Sequence, residues 1–213
     1  MNKNSEKYWD IVLNAMSENL KKRQMVPYIV STMLDAKALL KTLIKEGDCI
    51  AWGGSETLSG SGIISDIKAN NTITYIDRLE GKTPEEITRK CLDSLRSDVF
   101  LMSSNAITKQ GELLNVDGKG NRVQGLIMGP KSVVVIVGIN KVVENIDEGY
   151  QRIRNIAGSM NALRLDRKTP CKVTGKCHEC FAPECMCANI VLTRYSYVKE
   201  RIKVILVKEC LGF

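Results

Sequence analysis

Residues that could bind a small anion lie on both sides of one apolar run, VVVIV at residues 133–137. Gly138, Asn140 and Lys141 follow the run, and DGKGNR at residues 117–122 precedes it. The preceding segment supplies a carboxylate, an amide and a guanidinium within six residues. Because ligands of open α/β sheets bind beyond the carboxyl ends of the strands, these residues predict a site next to a buried strand.

A glycine turn, GGSET at residues 53–57, follows a second apolar segment and precedes residues with helical spacing. Backbone N–H groups and hydroxyls in such a turn can bind a phosphate or a carboxylate. The turn lacks the Gly-Lys-Ser/Thr ending of a phosphate loop, and no GxGxxG motif follows the strand. A tight turn from strand to helix, without a ligand, remains the alternative.

The candidate side chains fall into two groups by charge. Asp117 or Glu56 is the candidate catalytic carboxylate, acting as acid, base or nucleophile. The candidate anion-binding residues are Gly53, Gly54, Ser55, Thr57, Asn105, Asn121, Arg122, Asn140 and Lys141. Two alternatives stay open: Asp117 bonds the backbone of its own turn, and the two cations Arg122 and Lys141 are surface charges.

Five of the eight cysteines, with the only histidine, lie within a loop at residues 167–189, here named the cysteine loop. The candidate metal ligands are Cys171, Cys177, Cys180, Cys185 and Cys187. Cys177 and Cys180 have the spacing of a metal knuckle, whereas Cys185 and Cys187 are one residue closer than zinc knuckles prefer. Three states stay open: reduced thiols, a metal ion or iron–sulfur cluster, and a disulfide, which a cytosolic chain disfavours.

Composition excludes several classes of protein. The 213 residues suffice for one α/β domain, and 44% hydrophobic with 26% charged residues is ordinary for a globular protein. The net charge of +7 is dispersed and no aromatic residue lies in a basic block, so we expect no nucleic-acid partner. No apolar run reaches the roughly 18 residues of a membrane span, and we expect a cytoplasmic protein without a signal peptide.

Hydrophobic periodicity predicts helices at residues 3–24 and 31–46, before a first strand at 48–52. These two helices pack across a sheet or form a contact between copies of the chain. Further strands are predicted at 73–76, 99–102, 133–137, 190–193 and 202–207. Intervening helices begin near Thr83, which caps with Pro84 next to it, and near Asp147. Leu92 is predicted to face inward, and Arg152 and Arg154 to face solvent.

This alternation predicts an α/β fold with a Rossmann-like, mostly parallel sheet flanked by helices. Parallel strands end at one edge of a sheet, so residues 53–57, Asn105 and residues 140–141 should share a crevice. We expect a small anionic metabolite there.

Several motifs together resemble the LUD, or lactate-utilisation, domain family. They are GGSxTL from Gly53, NAITxxGxLxNxDGxGNRV from Asn105, GP at Gly129, GxNK from Gly138, PCxxTGxCxxC from Pro170 and LGF from Leu211. The resemblance implies a fold similar to ribose-5-phosphate isomerase, glucosamine-6-phosphate deaminase and the CoA transferases. It also implies a role in bacterial oxidation of L-lactate to pyruvate, with iron–sulfur redox partner subunits. The chain lacks the CxxCxxCxxxCP motifs of those partners.

We therefore predict a single LUD-like domain over residues 1–213, with N-terminal helices in 1–47 and the cysteine loop at 167–189. The predicted function is an enzyme or enzyme subunit acting on a small hydroxy or oxo acid, or on a phosphorylated or CoA-linked relative. The alternative is a non-catalytic subunit that binds a metabolite or docks in a redox complex.

Overall fold

A six-stranded parallel sheet forms the centre of the computed structural model, which describes residues 2–213. In spatial order its strands are β1 (Val26–Val30), β10 (Ile202–Val207), β7 (Ser132–Gly138), β4 (Val99–Met102), β2 (Cys49–Trp52) and β3 (Thr74–Ile76). All five strand pairs are parallel. The run at 133–137 is therefore an inner strand, as predicted.

Helices cover both faces of this sheet. The helices of residues 2–213 are α1 (Lys3–Lys22), α2 (Met33–Leu43), α3 (Glu56–Gly60), α4 (Ile63–Lys68), α5 (Pro84–Asp93), α6 (Val123–Ile127), α7 (Ile146–Arg152), α8 (Ser159–Arg164) and α9 (Pro170–Thr174). Of these, α7 packs against a second, smaller sheet. A π-helical turn, Ile153–Gly158, joins α7 to α8. No helix within residues 2–213 is both long and apolar enough to cross a membrane.

Alternate residues of β7 belong to two separate cores. Val133, Val135 and Val137 pack with α1, whereas Val134 and Ile136 pack with the helices of the opposite face. All five side chains are buried. A strand buried on both faces is typical of a parallel sheet between two helical layers, which confirms the predicted α/β class.

A smaller second sheet was not predicted. Its strands, in order, are β8 (Val142–Val143), β5 (Ala106–Thr108), β6 (Leu113–Asp117) and β9 (Asn189–Thr193). β6 pairs antiparallel with both β5 and β9. The predicted strand at 190–193 therefore exists but belongs to this sheet, and residues 106–117 form a hairpin that was not predicted.

Three local predictions are wrong. The two N-terminal helices do not precede the first strand, because β1 lies between them as an edge strand that tolerates Pro27. α7 is capped by Asn145, whose Oδ1 accepts from the N–H of Glu148 at 3.0 Å, rather than by Asp147. The predicted cap of α5 at Thr83 is confirmed, but Leu92 is 56% exposed instead of buried.

Candidate functional site

A cavity of about 590 Å³ lies at the carboxyl ends of the parallel strands. It is lined by residues 54–56 after β2, Arg78 after β3, residues 103–105 after β4 and Lys141 after β7. Residues 185–187 of the cysteine loop also line the cavity. The structure thus brings the predicted strand ends together, with Ser55 and Lys141 on the wall of one cavity.

Lys141 is the most deeply buried cation of the cavity wall, with 3% of its surface exposed. Its Nζ donates to Thr57 Oγ1 at 2.9 Å and to Ser103 Oγ at 3.0 Å. No carboxylate within residues 2–213 forms an ion pair with it. Burial lowers the pKa of Lys141 to about 7, and the positive charges of Arg152 and Arg122 add to the effect. The surface-charge alternative is therefore wrong for this residue.

Arg122 is buried as well, but its hydrogen-bond donors are already occupied. Nη1 donates to the carbonyl of Ser103 and to Asn115 Oδ1, and Nη2 donates to Asn105 Oδ1 and to the carbonyl of Val116. The guanidinium thus ties the β5–β6 hairpin to the end of β4. Arg122 is not a surface charge, and it contributes positive charge to the cavity with few N–H groups left for a ligand.

The side chain of Arg122 also explains why residue 53 is a glycine. A Cβ atom at Gly53 would lie 2.5 Å from Arg122 Cγ, closer than any side-chain contact allows. Within residues 2–213, Gly53 itself does not line the cavity, whereas Gly54, Ser55 and Glu56 do. This glycine therefore makes room for Arg122 rather than for a ligand.

The two candidate carboxylates have different partners. Asp117 Oδ1 accepts from the N–H of Gly120 at 2.9 Å, and Oδ2 accepts from the N–H of Arg122 at 3.2 Å. Asp117 thus stabilises its own turn, which is the alternative left open by the sequence, while also lining the cavity. Glu56 lines the cavity too, with Oε2 lying 3.7 Å from Arg164 Nε at the solvent edge.

The three candidate asparagines do not all lie in the cavity wall. Asn105 and Asn121 line the cavity. Asn140 does not line it within the described chain: its Oδ1 accepts from the N–H of Leu211 at 2.9 Å, and its Nδ2 donates to the carbonyl of Gly212 at 3.2 Å. Asn140 therefore holds residues 211–212 against the end of β7.

Several arginines at or near the cavity were not predicted as site residues, namely Arg78, Arg152, Arg164 and Arg167. Arg78 lines the cavity beside Gly54, and no residue among 2–213 forms a hydrogen bond or an ion pair with its side chain. Its position directly after β3 is a signal that the strand-end rule could have used. Arg152, expected to face solvent, is buried and donates to the carbonyls of Asn140 and Asn105.

The cysteine loop packs against the π-helical turn. Asn155 Oδ1 accepts from the N–H of Cys177 at 3.1 Å. Cys177 Sγ accepts from Arg154 Nε at 3.4 Å and from Arg154 Nη2 at 3.5 Å. Near Cys187, a Cβ on Gly158 would lie 3.4 Å from the sulfur. Packing against the neighbouring helix therefore positions the loop.

All eight cysteines are free thiols. Burial raises the pKa of Cys187 to about 12, and the neighbouring thiols of Cys185, Cys177 and Cys171 raise it further. Within residues 2–213, no three His, Cys, Asp or Glu side chains are arranged to hold one metal ion. The side chains as arranged fit reduced thiols, and a metal or cluster at the candidate ligands Cys171, Cys177, Cys180, Cys185 and Cys187 remains an untested alternative.

Fold and site together define an α/β protein with a ligand cavity at the carboxyl edge of a parallel sheet. The LUD domain family model matches residues 13–207, and the chain belongs to this family. A DUF162 family protein from Deinococcus radiodurans has a similar solved structure, with a TM-score of 0.50 and 13% identity over 94% of this chain and 98% of that one. That similarity concerns the fold alone. No curated protein matches the sequence.

Proposed function

We propose that the cavity binds a small hydroxy or oxo carboxylate and that the chain serves a cytoplasmic lactate-utilisation system. One observation carries the proposal: Arg78 presents a guanidinium to the cavity without a protein partner among residues 2–213. A guanidinium matches the two oxygens of a carboxylate with two parallel N–H donors. Arg78 therefore binds the carboxylate of the metabolite.

The overall charge of the cavity wall supports the same ligand class. Six basic side chains line it against three acidic ones. Two of the three carboxylates, Asp117 and Glu56, already lie within 3.7 Å of Arg122 and Arg164. The uncompensated positive charge attracts anions into a partly enclosed space, where fields are screened less than in bulk water.

The remaining polar groups suit the second carbon of such an acid. The hydroxyls of Thr57 and Ser103 surround the Lys141 amine. Ser103 and Lys141, which line the cavity, can bond a hydroxyl or a carbonyl next to the carboxylate, whereas Thr57 does not line it within residues 2–213. The cavity volume of about 590 Å³ lies within the usual range of small-molecule sites and leaves room for a phosphorylated or CoA-linked relative. Electrons from a hydroxy acid would pass to an iron–sulfur partner subunit.

Calorimetric titration of the purified chain with lactate, pyruvate, a sugar phosphate and CoA tests the proposal. We expect binding of at least one hydroxy or oxo acid, weakened roughly tenfold or more in Arg78→Gln because a charge-assisted bidentate pair is lost. Arg89→Gln is the matched control, since Arg89 is exposed on α5 and does not line the cavity. Equal affinities in both variants, or no binding to any compound, would contradict it.

The second candidate function is docking in a redox complex without catalysis. The cysteine loop supports it, because Phe181 is fully exposed and Val173 nearly so. Large apolar side chains that are exposed on a surface often contact a partner. Co-purification with iron–sulfur subunits, followed by a lactate-dependent electron-transfer assay, tests this function. A Phe181→Ser variant should lose the partner while retaining calorimetric binding of the acid.

A further inference from the structure

The hydrogen bonds of Lys141 match a neutral amine. A protonated lysine carries three N–H donors, whereas a neutral one carries two donors and one lone pair. Within residues 2–213, Nζ has two acceptors, Thr57 Oγ1 and Ser103 Oγ. A neutral amine would use both donors on these hydroxyls and keep its lone pair free. A protonated amine would carry a third N–H, for which residues 2–213 offer no acceptor.

The charges around Lys141 act in the same direction. Arg122 from the loop after β6 and Arg152 from α7 are the cations that lower its pKa, after burial itself, to about 7. The carboxylates of the cavity, Asp117 and Glu56, lie closest to other cations, Arg122 and Arg164. A large share of Lys141 is therefore unprotonated at neutral pH, which is the state that a nucleophilic lysine requires.

We propose that Lys141 forms a Schiff base with the carbonyl carbon of an oxo acid bound in the cavity. The inference rests on the proposed function, because it requires an oxo acid to enter. The lone pair of Nζ attacks the carbonyl carbon and forms a C–N bond, and the carbonyl oxygen takes a proton. The resulting carbinolamine loses water as the C=N bond forms, so that amine and oxo acid give imine and water with no oxidant or reductant.

The two hydroxyls next to Nζ suit the proton transfers of this reaction. Ser103 Oγ and Thr57 Oγ1 lie 3.4 Å apart, and each is within 3.0 Å of the nitrogen. They can pass the amine proton to the oxygen that leaves as water. The imine withdraws electrons from the neighbouring carbon and acidifies its C–H bonds, so the bound acid becomes ready for proton exchange at that carbon.

Borohydride trapping tests the inference. The full chain is incubated with pyruvate and sodium cyanoborohydride, and digested peptides are examined by mass spectrometry. We expect a carboxyethyl group on Lys141, because reduction of a pyruvate imine leaves that group on nitrogen. Lactate, which has no carbonyl, should give no adduct. Trapping should increase as the pH rises from 6 to 8 through the pKa of Lys141, about 7.

Lys203 is the internal control for selectivity. Burial also lowers its pKa, and its Nζ donates to Ser132 Oγ at 2.8 Å, but it lies at the amino end of β10, away from the cavity. Adducts spread over Lys203 and surface lysines, or no adduct on Lys141 with pyruvate, 2-oxobutyrate or 2-oxoglutarate, would overturn the inference. Parallel calorimetry separates the two proposals. An oxo acid that binds without being trapped would contradict the Schiff base alone. The absence of any acid binding would contradict both the Schiff base and the proposed function.

Discussion

The Nζ atom of Lys141 lies 2.9 Å from the hydroxyl of Thr57, which is 84 residues earlier in the chain. Each residue stands just beyond the carboxyl end of a parallel strand, Thr57 after β2 and Lys141 after β7. β4 lies between these strands and contributes Ser103, the second acceptor. Three strand ends therefore meet at one amine, and its burial has measurable consequences for stability.

The first prediction is a pH-dependent stability difference between the wild type and Lys141→Met. Between pH 7 and 10.5 the unfolded chain keeps a proton on Lys141 that the folded chain releases. The free energy of unfolding of the wild type should therefore rise with pH relative to the variant, by up to about 1.4 kcal/mol per pH unit. Below about pH 7 Lys141 is protonated in both the folded and the unfolded chain, so the difference in the free energy of unfolding between the wild type and Lys141→Met no longer changes with pH. Urea unfolding at pH 7, 8 and 9 measures it.

An exposed lysine of the same cavity, Lys119, provides the matched control as Lys119→Met. Both variants remove one lysine, so general charge effects cancel in the comparison. Parallel curves for the wild type and Lys141→Met over this pH range would contradict the burial of a proton-releasing amine.

The second prediction concerns Arg122, which we expect to act on stability rather than directly on ligand binding. Arg122→Ala removes a donor from four buried or partly buried oxygens, of which Asn105 Oδ1 keeps the N–H of Val116. The expected loss is about 3 kcal/mol or more in the free energy of unfolding. Arg122→Lys should lose less but not recover fully, because an ammonium cannot reach four acceptors in fork geometry. Arg78→Gln should change stability by less than about 0.5 kcal/mol.

The contrast between these variants is itself a test. Urea unfolding gives the stability of each, and calorimetry gives the affinity of each for the acid. If Arg122→Ala proved as stable as the wild type and lost only affinity, the guanidinium would belong to the ligand site instead of the framework.

Long apolar segments made most of the main sheet predictable. The runs at 99–102 and 133–137 have no competing interpretation, and their glycine and serine endings mark the edge where the cavity lies. β1 was not predicted because Pro27 indicates the end of a helix more strongly than the segment VPYIV indicates an edge strand. β5 and β6 were not predicted because both strands are short, and because polar residues such as Asn115 interrupt the apolar pattern.

The roles of the arginines depend on distant contacts, which local sequence does not reveal. Arg152 donates to the carbonyl of Asn105, 47 residues away, and nothing in its own helix indicates that acceptor. Arg122 was predicted to bind a ligand because its charge can be read from the sequence, whereas its four protein acceptors cannot. Arg78 could have been found, because it follows a predicted strand in the same manner as Asn105.

The third prediction concerns the reactivity of Cys187. Its pKa of about 12, against an ordinary 9.0, makes its thiolate about 1,000-fold rarer at neutral pH. Iodoacetamide should therefore label Cys187 roughly tenfold or more slowly than the exposed Cys210. Its labelling rate should still rise between pH 9 and 10, because the thiol stays protonated there. Mass spectrometry of timed digests measures each site, and equal rates at Cys187 and Cys210 would contradict the prediction.

The last prediction is that the cysteine loop carries reduced thiols and holds no metal as purified. Cys177 Sγ already accepts two N–H groups from Arg154, and that guanidinium would repel a metal cation beside it. Protein purified without chelator and without oxygen should therefore contain less than about a tenth of an equivalent of zinc or iron by elemental analysis. One full equivalent, lost in Cys177→Ser/Cys180→Ser and kept in Cys210→Ser, would contradict it. The loop would then have to rearrange so that Cys177 and Cys180 bind one ion, with Cys171 and either Cys185 or Cys187 completing the four positions.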